Sequence, residues 1–259
     1  MTGFGVLLGK ELREQLRTYR IPVVAIVFLL FGILSPVLAR YTKELLDALG
    51  SQATGGIRIV VPPPSVKDAV DQLLKNLGQF GILIAILLAM GSVASEKEHG
   101  TAGFILTKPA SRLSFLLAKL VAIGVTLAVA VGVGCAIGAV YILLLFDGAS
   151  LPLVGYAEMA VLLWLALMAY AALTFLGSAL SRSVAPSAGL GFVALVVTGI
   201  IGALPTIGQY MPLTLTGPAA NLAVGRPPGV DLAGPVLATL LFIVVPFILA
   251  WLSFRRQEL

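Results

Sequence analysis

Six separate runs of apolar residues divide this sequence, and each run is long enough to cross a lipid bilayer. We place the six spans at about residues 21–39, 77–94, 120–145, 155–180, 185–204 and 236–254. A helix of about 20 apolar residues crosses the hydrocarbon core, and in lipid a helix satisfies its own backbone hydrogen bonds. The sequence therefore predicts an all-α integral membrane protein with six transmembrane helices.

The composition leaves little room for a soluble domain or for site chemistry. Of the 259 residues, 59% are hydrophobic and 11% are charged, whereas about 25% of a typical soluble domain is charged. Cys135 is the one cysteine and His99 the one histidine, so an internal disulfide and a Cys- or His-based metal site are excluded. We therefore expect a single transmembrane domain over residues 1–259, with no cofactor or metal of its own.

An amphipathic helix is predicted over residues 4–20, before the first span. Its apolar face consists of Phe4, Leu8, Leu12, Leu16 and Tyr19, and its basic face of Lys10, Arg13, Arg17 and Arg20. Such a helix lies in the membrane interface with its basic face toward water and anionic lipid headgroups. Two interpretations stay open: the basic residues only set the topology, or the helix also contacts a partner protein.

The distribution of charge orients the six spans. Basic residues are concentrated on the side of the two termini, while on the opposite side basic and acidic residues balance. The positive-inside rule then places both termini in the cytoplasm. We expect the protein to lie in the cytoplasmic (inner) membrane. Residues 40–76 and 205–235 become extracytoplasmic, and residues 95–112 become a cytoplasmic loop. The net charge of +5 belongs to this topology and does not indicate a nucleic-acid partner.

The loop at residues 95–112 reads Ser-Glu-Lys-Glu-His-Gly-Thr-Ala-Gly-Phe-Ile-Leu-Thr-Lys-Pro-Ala-Ser-Arg. Gly100 permits a sharp change of chain direction, and residues 101–107 then predict a short apolar helix that ends before Pro109. Ser111 is placed to cap the next helix. The pattern predicts a short helix lying on the membrane surface between two spans.

This pattern resembles the cytoplasmic loop of ABC-2-type ABC transporter permeases. The resemblance rests on Glu-x-Glu-x-Gly-Thr, a short apolar helix, Lys-Pro-x-Ser-Arg and a lysine further on, and it extends to the plan of the whole chain. The similar subgroup includes the permeases of copper-enzyme maturation systems such as that of nitrous oxide reductase. In that family the loop carries a coupling helix that docks into an ATPase subunit.

The resemblance implies an exporter built from several chains. A second permease chain, identical or homologous, would share the translocation pathway, and two ABC ATPase subunits would carry the ATP and Mg²⁺. It assigns ATPase coupling to Glu96, Glu98, Gly100, Thr101, Phe104, Leu106, Pro109 and Arg112. It also implies that Glu96 and Glu98 pair with basic residues of the ATPase or of the interface helix.

The chain lacks the motifs of a catalytic subunit. Gly9-Lys10 is the nearest match to a phosphate-binding loop, and it fails because Phe4 stands where the first glycine is needed and Glu11 follows the lysine. We therefore expect no enzyme activity in this chain. Lys119 lies near the cytoplasmic end of the third span, where we expect its amine to reach the headgroups.

Two alternative functions remain at this point. An ion-coupled secondary transporter needs paired carboxylates or broken helices at the membrane midplane. Glu158 is the only acidic residue within the predicted spans, so it is the candidate for an intramembrane polar site, although its place near the interface lets water solvate it. A membrane-embedded assembly factor would need polar residues clustered at one depth, and the sequence has no such cluster.

Overall fold

The computed structural model describes residues 3–53, 63–100 and 111–257. Within these ranges, the chain forms helices joined by turns, and six of the helices are long and apolar enough to cross a membrane. The predicted all-α class with six spans is confirmed. In chain order the helices are α1 (Phe4–Arg17), α2 (Arg20–Ala53), α3 (Val66–Met90), α4 (Ala94–Glu98), α5 (Arg112–Leu145), α6 (Leu153–Leu180), α7 (Val184–Gly202), α8 (Thr216–Ala223) and α9 (Ala233–Arg255), with the 3-10 helices Gly208–Tyr210 and Pro212–Leu215 before α8.

The turn between α1 and α2 separates the amphipathic helix from the first span. Tyr19 has φ of 57°, an uncommon left-handed conformation for a residue with a side chain. Its amide donates to the carbonyl of Leu16 at 3.2 Å, which closes the end of α1. One residue in this conformation breaks a helical pattern that runs through the sequence without glycine or proline at that point.

Helix α6 is the most buried of the spans and packs against α3, α5, α7, α8 and α9. Its aromatic side chains satisfy their polar atoms inside the bundle, as buried Tyr and Trp residues usually do. The hydroxyl of Tyr170 is 2.9 Å from that of Thr198 on α7, and the indole of Trp164 donates to the carbonyl of Gly124 on α5 at 2.9 Å. These bonds join α6 to α5 and to α7.

Glycines let α5 approach its neighbours closely. A Cβ atom placed on Gly32 of α2 would lie 2.6 Å from the carbonyl oxygen of Gly134, and one on Gly138 would lie 2.7 Å from the side chain of Leu73. The sequence pairs Gly134 with Gly138 in the small-xxx-small pattern of membrane helix contacts. Both residues therefore serve packing within the chain.

On the side of the predicted loop, two helix boundaries differ from the predicted spans. Helix α5 begins at Arg112 and not near residue 120, because the Ser111 hydroxyl accepts from the amide of Ser114 at 3.0 Å and caps the helix there. Helix α3 ends at Met90 and not at residue 94. The chain turns and continues as the separate helix α4, which the sequence did not predict.

Much of the two predicted outer segments is helical in the described ranges. Helices α2 and α3 extend past their apolar runs into the predicted outer segment at residues 40–76. Residues 54–62, in the middle of that segment, lie outside the described ranges. The second predicted outer segment, residues 205–235, contains the two 3-10 helices and α8. Helix α8 packs on α6, where a Cβ atom on Gly155 would lie 2.0 Å from the carbonyl oxygen of Leu222.

Candidate functional site

One buried lysine joins three helices at the end of the bundle where the chain starts. The amine of Lys119 on α5 lies 2.8 Å from Oε1 of Glu96 on α4 and 3.1 Å from both carboxylate oxygens of Glu11 on α1. The lysine side chain is only 4% exposed. Separating the helices would leave a buried charge without its partner, which is costly. These contacts therefore hold α1 and α4 against α5.

The amine of Lys10 extends this cluster to the surface of α1. It lies 3.3 Å from a carboxylate oxygen of Glu11, 3.6 Å from one of Glu96 and 3.7 Å from one of Glu14. Burial lowers the pKa of the Lys10 amine, but the three carboxylates outweigh that effect and leave its pKa raised. The ion pairs of Lys10 therefore stabilise the folded protein at neutral pH. This contribution is lost only as the pH rises through the raised pKa of Lys10.

Helix α1 packs through polar side chains at the centre of its buried face. Glu11 and Gln15 are buried, and the Thr126 hydroxyl on α5 donates to the Gln15 side-chain oxygen. By contrast, Leu16 and Tyr19 of the predicted apolar face are 54% and 70% exposed. The apolar face predicted for this helix is thus divided, since its N-terminal part is half-buried while its C-terminal part faces outward.

The turn before α4 is held by a serine of α6. The Ser178 hydroxyl accepts from the amides of Val93 and Ala94, at 3.0 and 2.9 Å. Because α4 has no capping side chain of its own, Ser178 supplies the acceptor that its first amides need. This contact explains why α3 ends early and places Glu96 beside α5.

Residues 254–257, at the end of α9 and just after it, contact both ends of the predicted loop. A guanidinium nitrogen of Arg112 donates to the backbone carbonyls of Phe254, Arg255 and Gln257, each at 2.9 Å. The amine of Lys97 donates to the Gln257 side-chain oxygen at 2.6 Å and to the carbonyl of Ala179. A cation is favoured at the C-terminal end of a helix, where carbonyls lack partners.

The predicted coupling residues fall into three groups. Glu96 and Arg112 are engaged in the contacts above. Glu96 pairs with Lys10 of the interface helix and with Lys119 of α5. Glu98 and Gly100 are exposed, and Gly100 has φ of 69°, the left-handed conformation that glycine adopts without strain. The predicted coupling helix lies outside the described ranges. So do the remaining coupling residues, which are Thr101, Phe104, Leu106 and Pro109.

The basic residues of the interface helix form an exposed surface. Arg13, Arg17 and Arg20 are all exposed, and Lys10 is the member of the set that joins the buried cluster. A shallow groove runs along this face of α1 between Gly5 and Arg17. Lys10 contacts Glu96 and Glu11 contacts Lys119, so α1 lies beside α4 and α5.

Glu158 lies far from this site, in the second turn of α6 at the other end of the bundle. Its side chain is exposed beside a shallow apolar groove that includes Val154 and Leu222. The position is consistent with a carboxylate near the membrane interface. No role in a polar site follows from its surroundings.

Sequence reasoning missed the residues that hold the site together. Lys119 was expected to reach the headgroups, but it is buried because α5 starts earlier and two carboxylates meet its amine. Glu11 and Gln15 stood between apolar residues of α1, and their partners could not be identified from spacing. An acidic residue within an apolar face and a lysine within an apolar run were the available signals.

Comparisons with known proteins agree with this architecture. The model of the family described as ABC-2 family transporter protein matches residues 6–259. The chain is 24% identical over 254 residues to the uncharacterized transmembrane protein YxlG of Bacillus subtilis (strain 168), covering 97% of each chain. It is 33% identical over 149 residues to the probable ABC transporter permease protein NosY of Stutzerimonas stutzeri, covering 57% of this chain and 48% of NosY. The chain therefore belongs to the ABC-2 family of transporter proteins, as a multi-pass membrane permease.

Proposed function

We propose that this chain is the permease of an ATP-driven exporter and that the α1–α4–α5 end of the bundle couples it to ATPase subunits. The observation that carries the proposal is the buried contact of Lys119 with Glu11 and Glu96. It fixes the interface helix and the start of the loop to the third span, so a force applied to the loop would reach α5 directly. We also propose that the chain lies in the inner membrane and that this end of the bundle faces the cytoplasm.

The exposed groups beside the cluster suit a docking surface. Glu98 and Gly100 stand at the point where the chain leaves α4, and Arg13 and Arg17 are exposed on α1. We propose that these groups face the ATPase, which would bind ATP and Mg²⁺, while this chain binds neither. Glu96 supports the surface from within the cluster and does not itself form part of it.

The assembly that we propose contains two permease chains and two ATPase subunits. The second permease is identical or homologous and completes the pathway with this chain. Membership of the ABC-2 family supports this arrangement over an ion-coupled secondary transporter and over a membrane-embedded assembly factor. Glu158 is exposed at the periphery of the bundle, whereas a secondary transporter would need paired carboxylates or broken helices at the membrane midplane.

Co-purification tests the docking surface. The tagged chain is expressed with a candidate ABC ATPase from a neighbouring gene, and the amount of ATPase retained is measured. Close charge pairs at interfaces couple by about 1.5–7 kcal/mol, so Glu98→Lys should lower retention by about tenfold or more. Asp147→Lys is the matched control, because Asp147 is an exposed carboxylate at the opposite end of the bundle.

Two results would count against the proposal. If the wild-type chain retains no ABC ATPase under conditions that keep it folded, the coupling function is wrong. If Glu98→Lys retains as much ATPase as Asp147→Lys, the docking surface lies elsewhere. Glu96→Lys is unsuitable for this test, since it places a second positive charge beside Lys119 and would disturb the fold as well.

A further inference from the structure

A groove at the opposite end of the bundle combines an apolar wall with a line of polar side chains. Asp71, Lys75 and Gln79 follow one another at intervals of four on α3, so they share one face of the helix. The facing walls come from Leu195 of α7 and from the segment at residues 213–217. The groove has a volume of about 390 Å³, within the range of small-ligand sites.

The polar side chains of the groove differ in whether another side chain of the protein pairs with them. The carboxylate of Asp71 is neutralised by the amine of Lys67 at 2.6 Å. Lys75 and Gln79 are exposed, and among the described residues no hydrogen bond or ion pair joins either side chain to the rest of the chain. The groove therefore carries one uncompensated positive charge.

The position of Gln79 shows what kind of surroundings this face requires. Gln79 lies within the second apolar run, two residues after Leu77, where a side-chain amide facing only acyl chains would lose its hydrogen bonds. Polar side chains at membrane depth usually face a cavity or a polar partner. A ligand that lies on this face must supply hydrogen-bond acceptors near Gln79 and Lys75 and apolar surface toward Leu195 and Leu213.

We propose that this groove binds a single-chain anionic amphiphile of the fatty-acid type. Its anionic group binds the Lys75 amine and the Gln79 amide, and its apolar chain lies along Leu195, Leu213 and Ile82. The modest volume fits one chain and not the two chains of a bilayer phospholipid. The proposal concerns binding to this chain alone and is independent of how the chain couples to an ATPase.

Photolabelling of the purified protein tests the site. Palmitate with a photoactivatable group in its chain is added to the protein in phosphatidylcholine nanodiscs, and adducts are quantified and located by mass spectrometry. We expect saturable labelling near Leu195 and Leu213. Photoactivatable hexadecanol, which has the same chain without the anion, should label the groove at least about tenfold less, because a hydrogen bond to a charged group is lost.

Variants separate the role of the charge from a general effect on folding. Lys75→Gln should weaken palmitate labelling by about tenfold or more, and Gln79→Leu by a smaller factor, with hexadecanol labelling unchanged. Arg226→Gln is the matched control, because it removes an exposed cation from the same end of the chain without lining the groove. It should label as the wild type does.

Three outcomes would overturn the proposal. Equal labelling of Lys75→Gln and Arg226→Gln would show that the charge does not select the ligand. Equal labelling by hexadecanol would show a nonspecific apolar surface. Loss of palmitate labelling when phosphatidylglycerol replaces part of the phosphatidylcholine would identify a bilayer lipid as the occupant. Because ATPase is absent, none of these results depends on the proposed coupling.

Discussion

The amine of Lys119 lies 2.8 Å from Oε1 of Glu96, and the same amine contacts both carboxylate oxygens of Glu11 at 3.1 Å. Two acidic residues from separate helices thus share one buried cation. This arrangement adds a buried ionic contact to the partly buried apolar residues that pack α1 against the bundle. The following predictions test that contact and the structural features around it.

Lys119→Met should destabilise the protein by about 3–5 kcal/mol, because it leaves the carboxylates of Glu11 and Glu96 close together without their buried cation. Denaturant unfolding in detergent, followed by the near-ultraviolet signal, measures the change. Lys10→Met is the matched control, since the Lys10 side chain is 43% exposed and its surface ion pairs contribute about 1 kcal/mol or less. Equal stability of the two variants would contradict the importance of the buried cluster.

Gly32→Ala should destabilise the contact between α2 and α5. The added methyl group would lie 2.6 Å from the carbonyl oxygen of Gly134, and backbone on both sides limits relaxation, so we expect a cost of about 1–3 kcal/mol. Gly132→Ala is the control on α5, because nothing lies within 4 Å of its added methyl group. That variant should be neutral or slightly more stable, since alanine favours a helix over glycine. Thermal unfolding of both variants in one detergent measures the difference.

Gly100→Val should weaken binding of the ATPase in the proposed complex. The space around Gly100 is open, so the effect comes only from its φ of 69°, which a β-branched residue adopts at a cost of about 1–3 kcal/mol. Gly100→Asn should behave nearly as the wild type, because asparagine tolerates this conformation. Titration of the purified permease with ATPase measures both affinities, and a Gly100→Asn variant as weak as Gly100→Val would argue against a conformational cause.

The proposed orientation can be read from cysteine accessibility in intact cells. Ser51→Cys lies near the outer end of α2 and should react with an impermeant thiol reagent, whereas Ser111→Cys at the start of α5 should not. Cys135 is buried and contributes little background. Both variants should react after the cells are opened. Labelling of Ser111→Cys alone before opening would reverse the orientation.

The spans could be predicted from the sequence because hydrophobicity over about 20 residues is a local property of the chain. The same holds for the turn at Gly100 and for the cap at Ser111, since both depend on a single residue and its neighbours. Contacts between distant positions depend on how helices rotate and cross, which local patterns do not determine. The pairing of Lys119 with Glu11 joins residues 108 positions apart and became visible only in the fold.

The interface helix shows where a periodic pattern misleads. Its apolar residues predicted the face that packs against the membrane, but Glu11 and Gln15 lie at the centre of the face that contacts α5. A carboxylate at such a position is unfavourable unless a cation meets it, and the cation comes from the middle of the chain. The amphipathic pattern therefore located the helix and its type but not its packing.

The attachment of Lys97 and Arg112 to Phe254–Gln257 has a consequence for biogenesis. Residues 97 and 112 emerge from the ribosome long before α9 and the residues that follow it. Arg112 donates to backbone carbonyls of Phe254, Arg255 and Gln257, and Lys97 donates to the Gln257 side-chain oxygen. Until residues 254–257 are synthesised, Arg112 lacks these acceptors, and Lys97 has only the carbonyls of Ala179 and Ser181. A ribosome-stalled chain that ends before Ala233 should therefore expose the loop to protease more readily than the released protein does. Assembly with the proposed ATPase would then follow completion of the chain, so a truncated permease would not sequester it.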